Sequence, residues 1–250
     1  MVTVNWGAAT DVGRHRNDNE DSYFAEFPVF VVADGVGGYA GGEVASQSAV
    51  AIFAALKAGG GPLTSDAIKQ AIERTNVEVL EKAATSPGLD SMGTTLVGLA
   101  FVTDAGQERW AGFNVGDSRL YRMQDGELEQ VSVDHSIVQE LVDSGAISPS
   151  EARSHPNRNV ITRTIGVYGP VEPDIWIRPP VAGERWLVCS DGLNEMLDDT
   201  AIGAAMRDIG DPQEAADRLV KLAVEAGGRD NITTIVVDVV DDGDDATQIS

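Results

Sequence analysis

Sulfur and imidazole are scarce in this chain. Cys189 is its sole cysteine, which excludes an intramolecular disulfide and fits a reducing compartment. The three histidines, His15, His135 and His155, show no zinc-ligand spacing. His135 is expected to cap a turn or to face solvent. No apolar run approaches the roughly 20 residues that a membrane-spanning helix needs. The first residues, Met1-Val2-Thr3-Val4-Asn5, lack the basic and then apolar pattern of a signal peptide. A soluble cytoplasmic chain, or a soluble domain of a longer anchored protein, is expected. Basic residues are few as well, 18 against 40 acids, for a net charge of −22 over 250 residues. Such a field repels nucleic acid and anionic lipid and attracts cations.

What is present supports a sizeable core, since 42% of the residues are apolar. A polar stretch, Thr10 to Ser22, precedes an apolar strand from Phe27 to Ala33. A glycine-rich turn follows, Gly35-Val36-Gly37-Gly38, then a helix over Glu43 to Lys57. Ser65 is placed to cap a second helix reaching Ala84. Strands are expected at Thr94 to Phe101, Glu108 to Val115 and Ser118 to Met123, with Asp125-Gly126 turning the chain into Leu128–Val131. Residues 134 to 159 are polar and partly helical, and interrupt the strands as a surface insertion or flap. Strands resume at Asp174–Arg178 and Arg185–Ser190. Two helices follow, the second with Asp211 as N-cap and Pro212 at its first position. A last strand covers Ile232 to Val240. Helices, consecutive strands, helices and a final strand imply an α+β fold with helices covering a sheet core. The acidic stretch Asp238 to Asp245 reads as a solvated end.

Most of the acids serve solubility. Four do not fit that reading. Asp34 ends an apolar strand and precedes Gly35. Asp191 ends Trp186-Leu187-Val188-Cys189-Ser190 and precedes Gly192. Asp230 precedes the last strand, and Asp117 lies in the turn Gly116-Asp117-Ser118. Asp-Gly by itself signals a turn. Four acids at the ends of apolar strands suggest side chains aimed into one cleft. Converging carboxylates must protonate or bind cations. Hard oxygen donors favour Mg²⁺ or Mn²⁺ over zinc.

Other chemistries are excluded. Gly35-Val36-Gly37-Gly38-Tyr39-Ala40 fits the dinucleotide pattern G-x-G-x-x-G/A. Asp34 would repel a pyrophosphate there, and no strand ending in an acid follows about 20 residues on. A phosphate-binding loop of the Gly-Lys-Ser/Thr type does not occur. Cys189 has no arginine in Ser190 to Met196 to hold a phosphate, so it is not a thiol nucleophile.

Taken in order, several segments resemble the metal-dependent protein phosphatase family (type 2C), in its compact bacterial form. They are Arg16-Asn17-Asp18-Asn19-Glu20-Asp21-Ser22, Val32-Ala33-Asp34-Gly35-Val36-Gly37-Gly38, Gly93-Thr94-Thr95, Val115-Gly116-Asp117-Ser118-Arg119 and Asp134-His135-Ser136. The series closes with Cys189-Ser190-Asp191-Gly192 and Gly228-Arg229-Asp230-Asn231-Ile232-Thr233. The resemblance implies an α-β-β-α sandwich: two antiparallel sheets flanked by helix pairs, with a flap at about 134–165. It implies one catalytic domain over 1–240 and a flexible acidic tail over 241–250. It implies two tightly bound Mn²⁺ or Mg²⁺ ions and a third, weaker site. Asp34 would bridge two metals, Gly35 would give its carbonyl, and Asp191 and Asp230 would complete the pair. Asp117 with Asp191 would hold the third ion. Glu20 and Asp21 would hold metal-bound waters.

The spacing to Glu20 and Asp21 favours Arg16 over Arg14 as the arginine that grips phosphate, through its forked guanidinium. Some relatives carry histidine just after the metal-binding Asp-Gly. This chain has Val36 there, so the leaving-group proton must come from water or another side chain.

The implied reaction is hydrolysis of phosphoserine and phosphothreonine in proteins. The attacking water or hydroxide would bridge the metals, and no phosphoenzyme would form. The implied partners are phosphorylated proteins, including a serine/threonine kinase and its substrates, with the enzyme a monomer in signal transduction. Two other readings stand beside it: a non-catalytic sensor on the same fold, and a two-metal hydrolase of small phosphate esters.

Overall fold

The computed structural model describes residues 2–37, 41–167 and 169–241. The chain begins with two strands, β1 (Val2–Asp11) and β2 (Asp21–Glu26), and continues into β3 (Val29–Val36). Two helices follow, α1 (Gly41–Ala58) and α2 (Ser65–Thr85). The short β4 (Gly93–Thr94) leads to β5 (Leu96–Asp104), β6 (Gln107–Val115), β7 (Arg119–Gln124) and β8 (Glu127–Gln130). Helices α3 (Ile137–Asp143) and α4 (Pro149–Ala152) precede β9 (Asp174–Arg178) and β10 (Arg185–Cys189). The chain then forms α5 (Asp191–Asn194), α6 (Asp199–Asp208), α7 (Pro212–Ala226) and β11 (Ile232–Asp241).

The strands pair into two antiparallel sheets. One has the order β1-β11-β10-β7-β8, the other β2-β3-β5-β6-β9 with β4 added beside β3. Three apolar layers bind the sandwich. Phe30, Trp110, Trp186 and Val237 are buried between the sheets. Phe53, Ile68, Ile72 and Phe113 fill the layer under α1 and α2. Met206, Leu219, Leu187 and Val236 fill the layer under α6 and α7. This is the expected α-β-β-α arrangement.

Local chemistry accounts for the boundaries. Asp211 accepts from the Gln213 and Glu214 amides, Pro212 opens α7, and Gly227 ends it. Asp125 and Gly126 both have positive φ, 53° and 81°, which closes the β7–β8 hairpin with the handedness that sheet twist requires.

Four expectations need correction. Thr64 rather than Ser65 caps α2, its hydroxyl accepting from the Ala67 N–H at 3.1 Å. β1 falls where no strand was expected. β2 was not expected either: its first two residues, Asp21 and Ser22, lie at the end of the stretch read as polar. The glycine-rich turn expected at Gly35 also starts too early: β3 runs through Val36, with Gly35 paired to Thr94 and Val36 to Gly93. Gly38 and residues 242–250, most of the expected tail, lie outside the described residues.

The insertion between β8 and β9 is closed at its neck. Ser136 bridges Ile161, and Thr94 bridges Ile165. No residue of α3 or α4 is fully buried. No helix among the described residues is long and apolar enough to cross a membrane.

Candidate metal centre

The register of one strand pair creates the first part of the site. Asp21 of β2 stands directly opposite Asp34 of β3. Side chains of such a pair share a face, and like charges there are unfavourable. Asp34 is held by its backbone. Its N–H donates to Thr95 Oγ1 at 3.1 Å, and its carbonyl accepts from the Thr95 N–H at 2.8 Å and from Thr94 Oγ1 at 2.9 Å. Thr95 Oγ1 also meets Ser118 Oγ at 2.7 Å, which links Asp34 to the turn that carries Asp117.

Gly35 is required by a close approach. A Cβ there would stand 2.3 Å from the Gly42 carbonyl oxygen and 2.7 Å from that of Glu20. The Gly35 N–H donates to the Glu20 carbonyl at 3.2 Å. That space is full of backbone, so no side chain fits at this position.

The second sheet brings the other acids. Asp191 opens α5 immediately after β10. Asp230 precedes β11; its Oδ1 accepts from the Asn231 N–H at 2.8 Å and its Oδ2 from Arg16 Nη2 at 2.6 Å. Burial raises the pKa of Asp34 well above the carboxylate range, with Asp21, Asp191, Asp117 and Asp230 adding to it. Burial and the charges of Asp117, Glu195 and Asp230 raise Asp191 likewise. Burial lifts Asp117 to about 7, with Asp134 contributing. Asp21 is lifted to about 6 by burial, against a hydrogen bond from Ser190. Glu20 is raised too, chiefly by burial.

These shifts have one physical cause. Several carboxylates share a partly desolvated space without enough positive charge to match them. Asp21 Oδ1, Asp117 Oδ1 and Asp191 Oδ1 are buried with no hydrogen-bond partner. Unpartnered carboxylate oxygens at the mouth of a cleft are the donor set a hard divalent cation requires, so the residues fit Mg²⁺ or Mn²⁺. No three His, Cys, Asp or Glu side chains among the described residues converge in metal-holding geometry by themselves. A cation there would take water or carbonyl oxygens to fill its shell.

Arg16 is the arginine at these acids. Besides Asp230, it approaches Glu20 Oε2 at 3.9 Å. The side chain of Arg14 is exposed, while its amide donates to the Gly228 carbonyl at 2.7 Å.

Several positioning groups carried no role in the sequence reading. Ser190 Oγ donates to Asp21 Oδ2 at 2.7 Å and accepts from the Thr233 N–H at 2.9 Å. Asn231 accepts from the Glu20 N–H and donates to the carbonyls of Val12 and Asp18, tying the polar stretch to β11. A polar residue at the end of an otherwise apolar strand was the available signal for Ser190. Asn231 offered none beyond its place next to Asp230.

His135 corrects an expectation: it is buried, not facing solvent. Its Nδ1 accepts from the Gly116 N–H at 3.0 Å, and its own N–H donates to the Gly116 carbonyl at 2.9 Å. The neutral ring therefore carries its proton on Nε2, which lies 3.3 Å from Asp174 Oδ2. Burial keeps the imidazole pKa below its ordinary value. His135 thus braces the turn that holds Asp117. Replacing it with alanine strands a buried amide, a cost of about 1–3 kcal/mol. His135→Ala should melt several degrees lower and bind Mn²⁺ less tightly by calorimetric titration. His135→Asn, which restores an acceptor, should recover part of both. An unchanged melting point in His135→Ala would remove this bracing role.

Fold and site together define a class: an α-β-β-α sandwich that gathers acids from both sheets at one end. The chain belongs to the protein phosphatase 2C family, whose model matches residues 12–222. It is similar to the serine/threonine protein phosphatase PstP of Mycobacterium tuberculosis, at 41% identity over 96% of this chain. This chain spans 46% of that protein's length. The serine/threonine phosphatase stp of Listeria monocytogenes is 37% identical, over 95% of this chain and 98% of its own. The crystal structure of the Mycobacterium tuberculosis phosphatase PstP/Ppp superposes with a TM-score of 0.88, at 40% identity over 96% of this chain and 100% of that one. The catalytic domain of PstP in complex with two manganese ions superposes at 0.86, with 39% identity over 96% and 100%.

Proposed function

We propose that this chain hydrolyses phosphoserine and phosphothreonine monoesters in proteins, dependent on Mn²⁺ or Mg²⁺. The observation that carries this reading is the carboxylate set with unpartnered buried oxygens, centred on Asp34 opposite Asp21. The similarity to phosphatases, one of them solved with two manganese ions, supports it.

Asp34, Asp191 and Asp230, with the Gly35 carbonyl, would hold the metal pair. Asp117 and Asp191 would hold a third, weaker ion, and Glu20 and Asp21 would orient coordinated waters. Bound there, divalent cations supply Lewis acidity and lower the pKa of coordinated water toward neutrality. The chain's own residues do the rest. The rigid sheet ends fix the carboxylates, so little reorganisation accompanies reaction. Arg16 is exposed on one side and can turn its fork from Asp230 to two phosphate oxygens. Cys189 takes no part: it is buried in β10, and burial pushes its thiol pKa up to about 12. Water attacks phosphorus directly, and no side chain becomes phosphorylated. The substrates are phosphorylated proteins, among them a partner kinase and its targets, and the enzyme acts in the cytoplasm as a monomer.

The deciding experiment is a substrate panel. Purified protein should release phosphate from a phosphothreonine peptide with Mn²⁺ or Mg²⁺ and stop with chelator. Faster turnover of sugar phosphates or nucleotides would instead favour a small-ester hydrolase. No turnover with any divalent metal would leave a binding protein. Arg16→Ala should raise KM for the phosphopeptide by about tenfold or more, losing a charge-assisted fork, while kcat changes less. Unchanged kinetics would take the phosphate grip away from Arg16.

A further inference from the structure

The carboxylate cleft does not end at Asp117 and Asp191. Both belong to the wall of a cavity of about 390 Å³ that continues beneath the helical insertion. Its lining also includes Arg153, Arg158 and Arg229, and the apolar Val138, Val142 and Pro149. With Arg119, four of the chain's 18 basic residues therefore meet at one cavity of a protein with 40 acids. Chance placement on so acidic a surface gives no reason for that gathering.

The charges of this cavity do not cancel in pairs. Arg119 is spent on Asp134, which it grips with Nε at 3.0 Å and Nη2 at 2.7 Å. Asp117 and Asp191 face the candidate metal centre. Glu195 and Asp199 remain against three guanidiniums. Arg158 and Arg229 act on Glu195 and lower its pKa, against the burial that raises it. None of Arg153, Arg158 and Arg229 makes an ion pair among the described residues, whereas Arg122, Arg163, Arg178 and Arg185 each have a carboxylate partner. A guanidinium without a partner, beside an apolar wall and an anion-handling centre, is a recognition group for planar or tetrahedral anions.

We infer that this cavity binds a second anionic group of the substrate, next to the phosphoresidue, so that acidic or multiply phosphorylated segments are preferred. The inference rests on the phosphatase reading above. The apolar lining residues Val138, Val142 and Pro149 cover the aliphatic part of the flanking side chain, while Arg153 and Arg158 take its anion. A peptide reaching the metal centre from this side crosses the cavity before its phosphate meets Asp117 and Asp191. The anion also offsets the repulsion that the protein's overall charge imposes on an acidic substrate.

The test compares kcat/KM, with Mn²⁺, for one phosphothreonine peptide in four forms. The flanking residues are neutral, acidic, basic, or neutral with a second phosphoserine. Acidic or doubly phosphorylated forms should exceed the neutral form by on the order of tenfold, and the basic form should fall below it. An advantage confined to the second phosphate identifies phosphate as the anion; an equal advantage identifies negative charge in general. In Arg153→Ala/Arg158→Ala the ratio of acidic to neutral should fall toward one. Because the ratio is taken on one preparation, partial misfolding does not change it. Equal rates for all four forms in the native protein, or an undiminished ratio in the double variant, would overturn the inference. Failure of every phosphopeptide would instead overturn the phosphatase reading.

Discussion

Asp34→Asn is expected to make the metal-free protein more stable and nearly inactive. Asp34 sits opposite Asp21 and is pushed toward its protonated form by burial and by four neighbouring acids. Asparagine keeps the shape and removes the charge. Relief of about 1–2 kcal/mol of repulsion corresponds to a rise of roughly 2–8 °C in a domain of this size. Outer partners of a metal site are worth roughly 10–100-fold in affinity or activity, and a direct ligand exceeds them. Phosphopeptide hydrolysis should therefore fall by more than about a hundredfold. The rise in melting point on adding Mn²⁺ should shrink, because the variant binds metal less tightly. Melting curves with chelator and with Mn²⁺, beside one activity assay, check all three. A less stable metal-free variant, or one retaining metal-dependent turnover, would remove Asp34 from the centre of the site.

The second large effect is the pH dependence of the metal-free protein. Asp117 and Asp21 titrate at about 7 and about 6 in the folded state, above their ordinary value of 3.8. The native state thus holds protons that the unfolded chain has already lost. The stability these two groups contribute is full below pH 4 and drains away as pH rises through 6 and 7. For Asp117 alone the loss is on the order of 4 kcal/mol by pH 7, a large share of a typical 5–15 kcal/mol. His135 acts in the opposite direction, because its lowered pKa favours folding as pH rises toward 6.5. One histidine is outweighed by Asp21 and Asp117 with Asp34 and Asp191, which shift the same way. Glu129, held low by Arg178, changes stability only near and below pH 4. With chelator, the melting temperature should fall between pH 5 and 7.5. With Mn²⁺, which offsets the ionised acids, the fall should be much smaller. A chelated melting temperature that is flat or rising over this range would contradict the raised carboxylates.

Much of the fold was legible because its elements are locally marked. β9 and the start of α7 fall where pattern and capping place them. β1 was missed because it is an edge strand held by pairing, all along its length, with β11 some 230 residues away. β2 was missed because Asp21 and Ser22 look like loop. They are strand residues because Asp34 and Ala33 stand opposite them. His135 read as a turn cap or a solvent-facing residue because nothing in its neighbourhood in sequence reveals the Gly116 amide from which it accepts.

The sequence by itself determined the α+β class, the cation-seeking charge and the short acid-bearing segments, since these depend on composition, periodicity and turn chemistry close in the chain. Only the tertiary structure decided that Asp21 faces Asp34, that Arg16 meets Asp230, that Ser190 steadies Asp21, and that four arginines share a cavity with Asp117 and Asp191. Those relations join residues 13 to 214 positions apart, with Ser190 reaching back 169 to β2, and register and packing set them rather than local preference.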